Sequence, residues 1–352
     1  MRWFALGALA ILAGFFFLGT NDLALTNDDL LTRLAEVIAP LPPLPHYQEI
    51  HALYLTASTA RSPMAEGIIK LIKKTQAGAE SSLALNALVI DVQDSQGNFL
   101  LDADLKTLVR RLRFLKIFPI ARLVVFQNNQ YAKALPDQAL NFTSYEDVKL
   151  YQDEGGRYWL DPANQENWEY IWDLARQIAE AGFGEINLDY VRYPEQGQRQ
   201  VIEDFSRWLR EKLKTEFPEV QLTADVFGYT FLRERDIGVG QDVGELAKIF
   251  DFIYPMTYPS HYSAGNFGFD NPAEHPYEVV YKTLEARPDI KNIRIWVQDF
   301  HLGADYTPEM VRQQMKAAED FSARGGVASP SQFYGWLIWN PRNQYRKEIF
   351  GL

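Results

Sequence analysis

The sequence contains no cysteine. Disulfide staples, thiol nucleophiles, thiolate-bound zinc and lipid attachment through cysteine are therefore excluded. An extracytoplasmic location stays open, because a large apolar core needs no disulfides to hold it. Histidine is scarce as well. His46, His51, His261, His275 and His301 show neither His-x-His nor His-Glu-x-x-His spacing, so no histidine-bound metal site is expected. Positive charge is in deficit: 35 Lys and Arg face 46 Asp and Glu, a net charge of −11. Such a field repels phosphate backbones and argues against nucleic acid as a partner. No Gly-rich phosphate turn follows the first apolar run, where Leu55-Thr56-Ala57-Ser58 stands instead. After His46 there is no low-complexity stretch and no second linker.

What is present is ordinary globular material, 47% hydrophobic and 23% charged over 352 residues. That composition supports a large core, and the length fits one large barrel or two average domains. Residues 1–20 open with one basic residue and an uninterrupted apolar run from Trp3 to Gly19. This is the pattern of a signal peptide or of an uncleaved membrane anchor, and either would place the rest outside the cytoplasm, with the membrane touched only through this segment. Residues 21–45 continue as a polar stretch and the proline-rich Ala39–Pro45, read as an extended spacer because proline fixes φ and removes donors. The main domain is expected over residues 46–352.

Within it, short apolar runs recur at Ile50–Thr56, Ala87–Val92, Ala121–Phe126, Glu185–Tyr190, Gln221–Phe227, Phe252–Tyr258, Ile293–Gln298 and Gly335–Trp339. Near-continuous hydrophobicity is what strands covered on both faces require. Helical periodicity fills the intervals, for example Leu105–Phe118, Asn167–Ala181, Val201–Phe217, Tyr277–Ala286 and Pro308–Ala323. Asp161-Pro162 and Thr307-Pro308-Glu309 read as helix starts. Alternation implies parallel strands with right-handed crossovers, and eight repeats predict a closed (β/α)8 barrel (TIM barrel) rather than an open doubly wound sheet.

In such a barrel the functional residues lie at the C-terminal ends of the strands. Asp189 sits inside an apolar strand, where a charge is costly unless paired or functional. Strand alternation places Asn187 and Asp189 on one face, toward the axis if Ile186, Leu188 and Tyr190 face the helices. Arg192 is close enough in sequence to pair with Asp189, and a purely structural ion pair is the competing reading. Asp225 ends the next strand. Neighbouring strands lie about 5 Å apart, so the two carboxylates are within reach of a retaining glycosidase pair, Asp189 as nucleophile and Asp225 as acid/base. The alternative for Asp225 is a loop cap. Asp91 and Asp299 are further carboxylates, suited to orienting sugar hydroxyls or to serving as the true acid, against the reading that they cap loops. Tyr254, Tyr258, Trp296, Trp336 and Trp339 would ring the rim and stack on sugar faces, against the reading that they pack in the core. His261, in the Tyr258–His261 loop, would contact a hydroxyl or lie on the surface. Gln298 and Asn340, with Asp91, Asn187, Arg192 and Asp299, complete the expected substrate-binding set. Two carboxylates suffice for this chemistry, so no cofactor and no metal are expected, and the expected partner is a carbohydrate substrate. Two rival readings remain: a non-catalytic glycan-binding barrel, and a metal-assisted polysaccharide deacetylase or lyase using Asp91, Asp94 and Asp189.

The segments Asn187–Pro194 (NLDYVRYP), Thr223–Gly228 (TADVFG), Tyr254–Tyr262 (YPMTYPSHY), Trp296–Phe300 (WVQDF) and Gly335–Asn340 (GWLIWN) together resemble a bacterial family of glycoside-hydrolase-type TIM barrels of unassigned specificity. Leu53–Ala57, Val89–Asp94 and Pro119–Phe126 look like its first three strands. The resemblance runs in order from about His46 to Asn340. It implies kinship with alpha-amylase-type and alpha-galactosidase-type barrels, whose nucleophilic Asp at the end of the fourth strand corresponds to Asp189. The amylase type puts its acid/base on the fifth strand, where this chain has Asp225 instead of Glu. It also carries Arg two residues before the nucleophile, where this chain has Asn187.

Overall fold

The computed structural model describes residues 40–352 apart from 79, 95, 145–146 and 325–332. The apolar N-terminal run, the polar stretch and the start of the proline-rich spacer fall outside the described residues. A compact unit spans Leu41–Leu352. In chain order its elements are β1 (Ile50–Leu55), α1 (Ala57–Ala60), α2 (Met64–Gly78), β2 (Ala87–Gln93), α3 (Ala103–Phe114), β3 (Phe118–Val124), α4 (Asn129–Ala134), β4 (Asn141–Ser144), β5 (Asp147–Leu150), α5 (Gln165–Glu180), β6 (Glu185–Asp189), α6 (Arg199–Glu216), β7 (Gln221–Phe227), α7 (Val243–Ile249), β8 (Phe252–Met256), α8 (Pro276–Glu285), β9 (Ile293–Gln298), α9 (Pro308–Arg324) and β10 (Phe333–Trp339).

Eight of the strands close into one barrel in the order β1-β10-β9-β8-β7-β6-β3-β2, all neighbours parallel. The fold is the expected (β/α)8 barrel. The pair β4–β5 is an antiparallel hairpin inserted between the third and fourth barrel strands. Its short strands lack a strong apolar run, so no local pattern in the chain marks it.

Local chemistry explains the elements. Asp102 caps α3 by accepting the Leu105 N–H at 3.0 Å, and Asn164 caps α5 by accepting that of Glu166 at 2.9 Å. The cap of α5 thus lies three residues beyond Asp161 of the expected Asp161-Pro162 start. Helix α5 buries Trp168, Ile171, Trp172, Ala175, Ile178 and Ala179, an i, i+3, i+4 stripe, against the barrel.

Period-two alternation sorts the strands into two cores. Leu53, Leu55, Leu88, Ile90, Ala121, Leu123, Ile186, Leu188, Leu222 and Ala224 pack outward beneath the helices. Ala52, Tyr54, Val89, Ile120, Tyr254, Trp296 and Leu337 pack inside the barrel. Leu44 and Tyr47 pack against the inner core, so the end of the proline-rich stretch lies against the barrel. Closure between β10 and β1 depends on Gly335, whose φ is +123° and where a Cβ would lie 1.9 Å from the Ile50 carbonyl oxygen.

Candidate active site

Charged residues embedded in apolar strands all turn inward, and they form two levels. On the lower level Glu185 of β6 is fully buried and pairs with Arg294 of β9 at 2.7 Å. It also accepts hydrogen bonds from Tyr254 and, at 2.8 Å, from Thr223. Tyr254 is therefore not at the rim. It lies fully buried inside the barrel, and its hydroxyl serves the Glu185–Arg294 pair.

On the upper level Arg122 of β3 is the hub. Its Nη1 donates to Asp91 Oδ1 at 2.7 Å, while its Nε and Nη2 donate to Asp189 Oδ2 at 3.0 and 2.5 Å. Tyr54 donates to the other oxygen of Asp91. Burial works against the charge of Arg122, yet Asp91 and Asp189 together hold its guanidinium well above the ordinary arginine range. Burial raises the Asp91 carboxyl, and Arg122 opposes that rise. The Asp189 Oδ1 accepts the N–H of Tyr190 at 2.6 Å, and Tyr190 has a φ of +56°. A tyrosine in the left-handed region is strained, a feature that gathers at functional sites. The expected Asp189–Arg192 pair does not form. Arg192 instead donates to its neighbour's carbonyl on Tyr193 at 3.0 Å and packs on the rings of Trp159, Tyr190 and Phe227.

Asp225 of β7 has a different environment. Its Oδ1 accepts from Trp296 Nε1 at 2.7 Å and from Asn187 Nδ2 at 3.0 Å. No cation touches it among the described residues. Burial, and then the charge of Asp189, push its carboxyl well above the usual range. Asn187 lies wholly buried beneath it and steadies it from below.

Asp189, Asp225 and Arg122 line one cavity of about 310 Å³, whose other walls include Tyr258, His261, Trp296 and Trp339. Trp339 stacks on Tyr54 with ring centroids 3.9 Å apart, and Trp296 meets it edge-on at 5.5 Å. His261 packs against Tyr258 and Phe300, and desolvation holds its imidazole below the ordinary value.

Other expected contacts lie elsewhere. Trp336 is buried in the outer core and stacks on His51 at 4.5 Å. It is three residues from Trp339, and an odd spacing in a strand puts two side chains on opposite faces. Asp299 turns out of the cavity into a pairing with Arg346 at 2.7 Å and accepts from Asn340 at 3.0 Å, tying the end of β9 to the C-terminal segment. Gln298 is buried and holds the rim loops, accepting the Ser260 N–H at 3.2 Å and donating to the Phe300 carbonyl at 3.0 Å. Asp94 accepts from Gln96 and Asn98 within its own loop. Since Arg122 occupies the space between Asp91 and Asp189, these three acids do not converge as a metal-ligand set.

Arg122, Glu185 and Arg294 were not singled out in the sequence. The signal was available, since each is a charge inside an apolar strand, the same mark that identified Asp189.

Fold and site together define a (β/α)8 barrel with a carboxylate-bearing, aromatic-walled mouth at the C-terminal ends of its strands. The chain belongs to the family described as "Putative glycosyl hydrolase domain", whose model matches residues 52–345. Among solved structures it is similar to the PgaB (BpsB) glycoside hydrolase domain from Bordetella bronchiseptica, at TM-score 0.59 and 12% identity, covering 87% of this chain and 99% of that one. It is also similar to TtGalA, an alpha-galactosidase from Thermus thermophilus, at TM-score 0.55 and 16% identity, covering 88% of this chain and 62% of that one. An alpha-amylase from Lactobacillus plantarum aligns at TM-score 0.53 and 14% identity, covering 85% of this chain and 72% of that one. At these identities the likeness shows the fold. No curated protein matches the chain.

Proposed function

We propose that this barrel is a glycoside hydrolase in which Asp189 is the nucleophile and Asp225 the general acid/base, acting on a polysaccharide or cell-envelope glycan. One observation carries this reading: two carboxylates at the tips of adjacent strands line the same cavity in opposite electrostatic settings. Asp189 has a guanidinium against it and a backbone N–H on its second oxygen. Asp225 has only neutral donors, both on Oδ1, and a pKa pushed up by burial and by Asp189. Environments that drive two acids apart assign the acid and the nucleophile. Adjacent strands, at about 5 Å, suit the short separation of a retaining pair, roughly 5–5.5 Å.

In the first step Asp189 bonds to the anomeric carbon as the glycosidic bond breaks, and the departing oxygen takes the proton of Asp225. In the second, Asp225 withdraws a proton from water, whose oxygen displaces Asp189 and restores both carboxyls to their starting states. Trp339 presents aromatic surface to the sugar and Tyr258 adds a small edge, whereas Trp296, expected at the rim, is buried in the inner core and holds Asp225 instead. The apolar run from Trp3 to Gly19, behind a single basic residue, supports an extracytoplasmic location in this proposal. Among the described residues no helix is long and apolar enough to cross a membrane.

The test is release of reducing ends from a panel of polysaccharides and envelope glycans, followed by NMR of the first-formed anomer. Asp189→Asn is expected to abolish cleavage of any glycan that the native protein cuts, with retention of configuration in the native reaction. A native rate in Asp189→Asn removes Asp189 from the chemistry.

A further inference from the structure

The catalytic cavity does not end at Asp189. A second cavity of about 400 Å³ shares Asp189, Tyr190, Met256, Tyr258 and His261 with it and extends past the ends of β6 and β7 to Arg192, Phe227 and Tyr229. We propose that this second cavity is a subsite for a sugar bearing a negative charge, a carboxylate or a sulfate, bound through Arg192. The sugar part of the proposal rests on the hydrolase reading above; the anion part stands on the surroundings of Arg192 itself.

Arg192 is half-buried and clamped by aromatic rings, its guanidinium carbon 4.8 Å from the Trp159 ring centre, 5.0 Å from that of Tyr190 and 4.7 Å from that of Phe227. A desolvated arginine gains most from a carboxylate or another anion on its guanidinium fork. Among the described residues none lies within ion-pair distance of Arg192, whereas Arg122, Arg157, Arg199, Arg294 and Arg346 all have one. Among the described residues its only hydrogen bond goes from Nη1 to the Tyr193 carbonyl. The donors on Nε and Nη2 have no partner among the described residues, and neither is sealed from solvent. Desolvation outweighs the help of Asp189 and lowers the pKa of this arginine, so its charge is only partly compensated within the chain. The three rings hold the planar fork in one orientation, so little freedom is lost when an anion binds it in two-pronged fashion. Tyr190, Phe227 and Tyr229 line the same cavity and supply aromatic surface beside the charge.

The long-range field does not favour anions, since the chain carries a net charge of −11. Selectivity must therefore arise locally at Arg192, which makes a single-residue test decisive. The experiment is titration calorimetry of the full chain in an Asp225→Asn background, which blocks turnover and leaves the walls of this cavity unaltered. The probes are matched pairs: an oligogalacturonide against its methyl ester, and a sulfated oligosaccharide against its desulfated form. The charged member of at least one pair is expected to bind about ten- to hundredfold more tightly than its neutral partner, the range of a charge-assisted hydrogen bond. Arg192→Gln should erase that preference and Arg192→Lys should keep part of it, with thermal unfolding used to establish that both are folded. Equal binding within both pairs, no binding of either charged probe, or a preference that survives Arg192→Gln overturns the proposal. The two readings fail separately. Anion-selective binding without release of reducing ends by the native protein removes the hydrolase reading and keeps the site. Cleavage of glycans without anion preference does the reverse.

Discussion

Replacing Arg122 by methionine is the most informative single perturbation of this barrel. Arg122, Asp91 and Asp189 are respectively 7%, 6% and 8% exposed, so the three charges share a nearly dry interior. The guanidinium makes three hydrogen bonds, at 2.7, 3.0 and 2.5 Å, to the two acids. Methionine matches the length of the stem and removes every one of them, leaving two buried carboxylates facing each other without a cation. Breaking a buried pair by removing one partner costs about 3–5 kcal/mol, because the remaining charge is uncompensated. For a domain of this size that corresponds to a fall in Tm of about 5–8 °C at neutral pH. The deficit should shrink as pH is lowered from 7 toward 5, since protons then replace the missing cation on the carboxylates. Arg122→Lys should recover only part of the loss, because one ammonium cannot reproduce the fork that spans both acids. The assay is urea and thermal unfolding at several pH values, with glycan cleavage measured in parallel and expected to fall at least a hundredfold as Asp189 loses its anchor. A loss below about 1 kcal/mol, or one independent of pH, would refute the claim that Arg122 neutralises this level of the barrel.

Two other perturbations separate the roles of Asp225 and its donors. Asp225→Asn keeps an oxygen to accept from Trp296 and Asn187 but removes the acid, so cleavage should drop by about a thousandfold or more while the protein stays folded. The folded-state pKa of Asp225 is raised, so its contribution to stability is present below the ordinary carboxylate range and is lost as pH climbs through the raised value. Asp225→Asn should accordingly raise Tm at neutral and alkaline pH, with the gain vanishing near pH 4; thermal scans across pH that show no such trend would contradict the assignment. Trp296→Phe removes a donor that favours the ionised form of Asp225, so the alkaline limb of the kcat/KM profile should move upward as kcat falls. A downward shift would argue that Asp225 is not the group titrating on that limb.

Much of the fold was legible in the chain because covered parallel strands must be apolar along most of their length. The runs at Gln221–Phe227 and Ile293–Gln298 coincide with β7 and β9, and the other barrel strands differ by a few residues at their ends. Polar strand ends also pointed to the mouth. The inward facing of Asn187 and Asp189 followed from local alternation, and the outer packing of Ile186 and Leu188 agrees with it. Depth was harder to read. Tyr254 and Tyr258 share the barrel interior, yet one serves the Glu185–Arg294 pair and the other lines the cavity. Their separation depends on where β8 ends, a boundary that apolar content does not mark. The hairpin β4–β5 escaped notice for the same lack of signal.

Sequence alone determined the strand–helix alternation, the inward face of β6 and the candidacy of Asp189 and Asp225, because each rests on the two-residue period of one strand or on the cost of placing a charge among apolar neighbours. Tertiary structure alone decided which charges meet. Arg122 reaches Asp189 and Asp91 across residues 67 and 31 positions apart. Asp299 goes to Arg346, Trp336 to the outer core and Arg192 to a cage of aromatic rings. Those pairings depend on the register and height of strands brought together by barrel closure, and no local pattern in the chain encodes a partner that far away.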